Sequence, residues 1–386
     1  MNITKNIFFK NFNKKFSLFS HKKLKLLLKD NNEIINSLKP NYKYSYSNKI
    51  IHKYKNFSIL RVIGIGGSIL GTKAIFNFLE RKINKKIIFV DNLLPSFKPN
   101  KDRKTLNLIV SKSGNTLETI SNANNLIKKH QKNIFITENN TSYLRTLAKK
   151  LKSEIIDHNN FIGGRYSVLS EVGMLPASLV GLNVNKFKQF NNLIKKKNFV
   201  NSLIQNVNNI LFFIKKKRFN SIIINYDEGA DDLFKWYQQL IGESLGKNKK
   251  GIFPLISTMP KDNHSLMQLY LDGPKQSFFT FFNVKENQTN KIINSSILPS
   301  HKYLKDKKFS EILNAQKIAT EKVFYKNQIP FRSFEILNRN EVALGELFTF
   351  FILETILIGK FLNINPYDQP AVEMIKKHTK KILINS

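Results

Sequence analysis

From residue 58 onward, short apolar runs alternate with longer stretches whose apolar positions recur every three or four residues. The runs "FSILRVIGI", "KIIFVDN", "TLNLIVS" and "NIFITEN" predict buried strands, and "LGTKAIFNFLERK" and "NTLETISNANNLIKKHQK" predict the helices between them. Strand and helix in strict alternation indicate βαβ units and a parallel sheet with helices on both faces. The rhythm resumes after about residue 200. There "FNSIIINY", "IFPLIST" and "SFFTFFNV" read as strands, "ADDLFKWYQQLIGESLG" and "SEILNAQKIATEKVFYK" as helices, and "IPFRSFEI" closes the second sheet. Residues 1–57 are polar and irregular, with helical periodicity around "HKKLKLLLKDNNEIINSL". The expected class is α/β: two doubly wound parallel-sheet domains with a helical C-terminal segment. Its expected parts are a helical lead over 1–57, a first domain over 58–180, a link over 181–200, a second domain over 201–338 and the C-terminal segment over 339–386.

The most apolar stretch, "VALGELFTFFILETILIGKFL" at 342–362, is interrupted by Glu346 and Glu354. A lipid-facing helix would carry those acids at high cost, so a buried helix is expected and no membrane contact. The 386 residues are 41% hydrophobic, with 32 Phe and one Trp, which suits a large core of Phe, Ile and Leu. The chain has no cysteine, which rules out disulfides and thiolate metal sites and fits a cytoplasmic location. The formal net charge is +36. Clustered cations can mark a nucleic-acid partner. Here Lys is spread along the chain in pairs and triplets, alongside abundant Asn, Ile and Phe, the signature of AT-rich codon usage, and no nucleic-acid partner is expected. The start, free of acids up to Asp30, also lacks the Arg of a transit peptide and is read as a lysine-biased first element of the fold.

Two turns suggest anion chemistry. "GIGGSILG", Gly64 to Gly71, follows a strand and opens a helix. Gly64 and Gly66 match a dinucleotide fingerprint but its third glycine is Ile69, and no Gly-Lys-Ser/Thr is present, so phosphate binding other than nicotinamide or ATP is expected. "IVSKSGNTLETI", 109–120, places Ser111, Lys112, Ser113 and Thr116 where a strand gives way to a helix. Hydroxyls, one ammonium and free helix N–H groups together make a phosphate cradle; the plain alternative is helix capping. Both turns end strands of one parallel sheet, where ligands bind. In "IGGRYSVLSEVGMLPASLVGL", Arg165 follows Gly163 and Gly164 in a small, apolar context suited to an oxyanion partner. Gln239 and Glu243 in "WYQQLIGESLGK" share a helical face, and Glu243 could act as a base or be a surface charge. His264 in "PKDNHSLMQLYLDGP" and Lys376 with Lys377 in "NPYDQPAVEMIKK" complete the set of charged candidates.

Taken in order, these six stretches resemble the phosphoglucose isomerase family of the sugar isomerase (SIS) fold, from about residue 58 to 380, and are similar to its compact bacterial members. The resemblance implies two SIS-type domains and reversible isomerisation of glucose 6-phosphate and fructose 6-phosphate through an enediol(ate), in glycolysis and gluconeogenesis. It implies that Ser68, Ser111, Lys112, Ser113 and Thr116 hold the sugar phosphate, that Glu243 shuttles a proton between C1 and C2, and that Arg165 faces the enediolate. It assigns His264 and Lys376 to ring opening, and Gln239 with the backbone of Gly67 and Gly164 to the lining of the site. It implies no cofactor and no metal, and a homodimer whose histidine reaches the partner's site, so that a monomer is inactive. Ala371 and Ile375 stand where relatives carry two glycines before the lysine. Another SIS-fold aldose–ketose isomerase would keep the cradle without the full set of charged residues, and a phosphosugar sensor would bind without turnover.

Overall fold

Two five-stranded sheets organise the described residues, 1–12, 24, 32–93, 104–285, 291–292 and 298–385 of this computed structural model. In chain order the strands are β1 (Ile7–Lys10), β2 (Ile59–Ile63), β3 (Lys86–Val90), β4 (Thr105–Val110), β5 (Lys132–Thr137), β6 (Glu154–Asp157), β7 (Asn220–Asn225), β8 (Phe253–Thr258), β9 (Ser277–Val284) and β10 (Phe331–Ile336). The first sheet has the order β3-β2-β4-β5-β6 and every pairing is parallel. Every residue of β2 and β4 is buried, as central strands of a sheet covered on both faces are, and their polar residues Arg61 and Asn107 are hydrogen-bonded to each other (3.2 Å). The second sheet runs β1-β10-β9-β7-β8 and is parallel except at β1. The strands and helices expected from both halves are present, and the α/β architecture is as the alternation implies.

The N-terminus differs. Residues 7–10 belong to no helical lead: they form an antiparallel edge strand, with Ile7 opposite Ile336 and Lys10 opposite Ser333. Ile7 and Phe9 point inward while Phe8 and Lys10 face out, a period of two that four residues can satisfy only against a neighbouring strand. Of the periodic stretch 21–38, only Leu24 and residues 32–38, with the short helix Glu33–Ser37, lie among the described residues. The expected link at 181–200 holds a 3₁₀ turn, Val184–Phe187, and the helix Phe190–Ile194. It ends in the start of the long helix Lys197–Lys215.

The apolar stretch near the C-terminus forms the helix Glu341–Phe361, long and apolar enough to cross a membrane, yet 94% of its most apolar window is buried inside the protein. Its two interior acids explain how. Glu346 accepts hydrogen bonds from Thr4 (2.7 Å) and Asn6 (3.2 Å), tying the N-terminal segment to the core. Glu354, fully buried, pairs with the equally buried Arg332 and accepts from Asn206 and from the Tyr237 hydroxyl (3.0 Å). Arg332 in turn donates to Thr280 (2.9 Å) and Asn206 (2.8 Å). Burial pushes the Tyr237 phenol well above its usual range, so it stays a donor.

This network joins β9, β10 and three helices, one of which, Asp231–Leu245, packs against the helix Leu70–Phe78 that follows β2. Removing one partner of a buried ion pair strands the other without solvent. Glu354→Leu is therefore expected to lower stability by about 3–5 kcal/mol in urea unfolding. Glu354→Gln, which keeps an acceptor for Tyr237, should cost less.

Candidate active site

In the first sheet the connections from β2 and β4 leave in opposite directions, β3 lying beyond β2 and β5 beyond β4. A crevice opens at the carboxyl ends of two such strands. Both glycine–serine turns sit there. The turn after β2 is a 3₁₀ turn, Gly66–Ser68, with Gly66 at φ +55°. A Cβ on Gly64 would lie 3.0 Å from the Val110 carbonyl, so the two turns approach backbone to backbone.

In the turn after β4, buried Ser111 and the Thr116 hydroxyl lie 2.9 Å apart. Thr116 stands at the N-cap of the helix Leu117–Leu126 but makes no side-chain capping bond, so capping does not account for its hydroxyl. Ser113 Oγ accepts from the Asn115 N–H (3.2 Å). Lys112 donates to the Asn160 carbonyl (2.8 Å) and lies 3.4 Å from Glu138, with its side chain one-third exposed. Gly114 takes φ +64°, and a Cβ there would meet Ser142 Oγ at 2.1 Å. Beside this turn, burial pushes His158 down to about 4, so the imidazole is neutral at pH 7 and brings no charge to an anion.

The Gly-Gly-Arg stretch packs directly on the first turn. A Cβ on Gly67 would fall 2.2 Å from the Gly164 carbonyl carbon and 2.5 Å from the Arg165 nitrogen. Arg165 begins the buried part of the 3₁₀ helix Gly164–Leu169, and only 2% of its side chain is exposed. Every guanidinium N–H finds an acceptor. Nε donates to Ser244 (2.7 Å), and Nη2 to the carbonyls of Pro366 (2.7 Å) and Asp368 (3.0 Å). Nη1 donates to Gln369 Oε1 (3.2 Å) and Glu243 Oε2 (3.3 Å).

Glu243 comes from the helix Asp231–Leu245, whose amphipathic pattern sets its rotation. Trp236, Tyr237, Leu240, Ile241 and Ser244 are buried, while Gln239 and Glu243, four residues apart, are left half-buried on one face. The Trp236 indole donates to the Arg165 carbonyl (3.0 Å) and fixes helix against turn. Gln239 Nε2 donates to Glu243 Oε1 (2.8 Å) and lies 2.9 Å from where a Gly66 Cβ would be. The Glu243 side chain is 30% exposed, so the carboxylate is held by two donors and still reachable from the crevice. An apposed carboxylate and guanidinium beside two glycine–serine turns can move a proton next to a carbonyl and hold the charge that results.

The structure thus brings Gly67, Gly164, Arg165, Gln239 and Glu243 together, with Ser68, Ser111, Lys112, Ser113 and Thr116 on the adjoining turns. It does not bring His264 or Lys376 to them. His264 ends an exposed 3₁₀ turn, Lys261–His264, just past β8. Lys376, on the exposed helix Val372–Asn385, pairs with Glu373 at 2.6 Å. Three contributors escape a reading of the sequence: Ser244, Gln369, and Lys247, which donates to the Asn365 carbonyl (2.5 Å) and Asp368 Oδ1 (2.6 Å). Each adjoins a residue or motif already singled out, but a contact across 78 or more positions has no local signal. Cavities of about 560 and 930 Å³ open on the second sheet, and none of these residues lines either.

A family profile described as phosphoglucose isomerase matches residues 45–386. The glucose-6-phosphate isomerase of Methanocaldococcus jannaschii is 35% identical over 348 residues, 85% of each chain. That of Mycoplasmopsis pulmonis is 32% identical, covering 86% of this chain and 84% of the relative. Among solved structures, a hypothetical protein from Thermus thermophilus superposes with TM-score 0.78 at 22% identity, covering 94% of this chain and 93% of that one. The glucose-6-phosphate isomerase of Chlamydia trachomatis superposes with TM-score 0.71 at 20% identity, covering 97% and 80%. These two structural likenesses establish the shared fold.

The Gly67–Gly164 contact leaves no room for a side chain. Gly67→Ala is expected to lower stability by about 1–3 kcal/mol as the turns separate, and to weaken binding of a sugar phosphate measured by calorimetry. Gly242→Ala, one residue from Glu243 but with open space around its Cβ, is expected to be neutral or stabilising by up to about 1 kcal/mol.

Proposed function

This chain belongs to the phosphoglucose isomerase family, and on that premise we propose that it interconverts glucose 6-phosphate and fructose 6-phosphate with Glu243 as the proton shuttle and Arg165 as the partner of the enediolate. The single observation that carries the assignment is the 3.3 Å contact between Arg165 Nη1 and Glu243 Oε2 beside the two glycine–serine turns. In this reading the substrate phosphate docks on the hydroxyls of Ser68, Ser111, Ser113 and Thr116, the Lys112 ammonium and the N-terminal N–H groups of the helix Leu117–Leu126. That fixes C1 and C2 of the open-chain sugar beside the carboxylate. Glu243 removes the proton from C2 of the aldose and the C1 carbonyl oxygen gains the negative charge; the proton of the C2 hydroxyl passes to that oxygen, and return of the first proton at C1 leaves C2 as the carbonyl of the ketose. Arg165 meets charge that exists only in the intermediate, which is where added stabilisation raises the rate. Gln239 holds Glu243 from the other oxygen. The family assigns this activity a place in glycolysis and gluconeogenesis, and we propose a cytoplasmic location.

Ring opening is proposed for His264 and Lys376. The exposed position of His264, together with exposed Phe253 and Leu255 on edge strand β8 and Leu269 nearby, supports a homodimer in which His264 serves the partner's site. Lys376 lies on a helix that also exposes Met374, Ile375, Ile382 and Leu383, a surface suited to closing against the site or a second copy.

Glu243→Gln is expected to lower kcat by about 10²–10⁴-fold in a coupled assay on fructose 6-phosphate, while a phosphorylated polyol still binds. Unchanged turnover would remove Glu243 from the chemistry. For the shared site, inactive Glu243→Gln and His264→Ala proteins, unfolded together and refolded as a mixture, should regain up to about one quarter of wild-type activity, since half of the dimers are mixed and each has one intact site. A site contained within one chain would regain none.

A further inference from the structure

Arg165 reaches its surroundings through two unequal edges. Its shortest bonds, 2.7 Å each, leave from Nε to Ser244 Oγ and from Nη2 to the Pro366 carbonyl. Its longest, 3.2 and 3.3 Å, leave from Nη1 to Gln369 and Glu243. The first edge does not end at its acceptors. Ser244 Oγ lies 2.9 Å from the Tyr166 hydroxyl, which donates to the Pro366 carbonyl at 3.1 Å. Directions follow from chemistry. A guanidinium N–H can only donate and a carbonyl can only accept. The single Tyr166 proton is committed to Pro366, so the Ser244 proton goes to Tyr166. The chain runs one way, from Arg165 Nε–H to Ser244 Oγ–H to Tyr166 Oη–H to the Pro366 oxygen. That oxygen also accepts from Nη2, which closes a ring on the guanidinium itself.

We propose that Ser244 and Tyr166 are positioning residues for the isomerisation: this ring clamps the Nε/Nη2 edge of Arg165 and leaves Nη1 as the arm that turns to the developing enediolate. The clamp sits where water cannot substitute for it. Ser244 and Tyr166 are fully buried, and burial keeps the tyrosine protonated by pushing its phenol upward. The long Nη1 bonds are the ones that give way at least cost when a substrate oxygen arrives. The ring also hangs the 366–369 loop, with Gln369, from the same cation, so the lid over the arginine and the roll of its plane are set by one set of bonds. Neither residue has surface open to the crevice.

The inference rests on the proposed role of Arg165 at the enediolate, and the experiment separates the two. Ser244→Ala and Tyr166→Phe are made in the full-length enzyme and their melting temperatures recorded. Calorimetry then measures a phosphorylated hydroxamate, which imitates the planar enediolate, and sorbitol 6-phosphate, which carries the phosphate and no such charge. Wild type is expected to prefer the hydroxamate strongly. Each variant should lose at least about tenfold of hydroxamate affinity and of kcat, the scale of one hydrogen bond to a charged group. Sorbitol 6-phosphate affinity and KM should stay within about twofold. The double variant should lose little more than the worse single one, because both break the same ring. Equal weakening of the two ligands, or no change in either, overturns the positioning role. A wild type with no preference for the hydroxamate overturns the Arg165 assignment instead. Tyr166→Phe keeps the ring volume, so it carries the test alone if Ser244→Ala does not fold.

Discussion

A guanidinium removed from water must find an acceptor for each of its five N–H groups, or its burial costs several kcal/mol. Arg165 meets that demand with atoms drawn from widely separated parts of the chain: Ser244 and Glu243 from the second half, and the 366–369 loop from near the C-terminus. The site is therefore where the chain gathers to satisfy one buried cation. The carboxylate that would do the chemistry is one of those acceptors, so charge balance and catalytic geometry are a single arrangement.

The helix Asp231–Leu245 carries that carboxylate and is pinned on two sides. Tyr237 ties it to the buried Arg332–Glu354 pair, whose arginine lies in β10, and Trp236 ties it to the Arg165 carbonyl. With both anchors made, Gln239 and Glu243 have one face left to occupy. The glycine contact completes the frame. Gly67 and Gly164 touch backbone to backbone, which draws the arginine turn onto the turn after β2. The hydroxyls of the β4 turn and the Glu243 carboxylate adjoin the same crevice. The spacing of the two turns from Glu243 is thus held by main chain and buried polar bonds, the least deformable parts of the protein.

Much of this was legible in the sequence, because it is local. Short, largely apolar runs such as "TLNLIV", alternating with amphipathic stretches, indicate strands buried on both faces, and β4 is buried throughout. Glu346 and Glu354 argued against a lipid-facing helix, and each proved to have its own buried partners. The spacing of Gln239 and Glu243 put them on one helical face, where they bond to each other. The hydroxyls of Ser111, Ser113 and Thr116 cluster at a strand-to-helix junction that the alternation itself locates. The N-terminal strand is not legible in the sequence, because four residues of period two are too short a signal without the β10 edge they pair with.

By itself the sequence determined the alternation of strand and helix, the position of both turns, the burial of the long C-terminal helix and the chemical types present at each motif. All of these depend on neighbours within a few residues, where backbone geometry dictates the spacing. Only the tertiary structure decided that Glu243 faces Arg165, that Ser244, Tyr166 and Pro366 close a ring on that arginine, and that His264 and Lys376 stand apart from it in a single chain. Those outcomes turn on where a buried charge finds acceptors after the sheets have packed, and no local pattern of residues encodes which distant atom will be within reach.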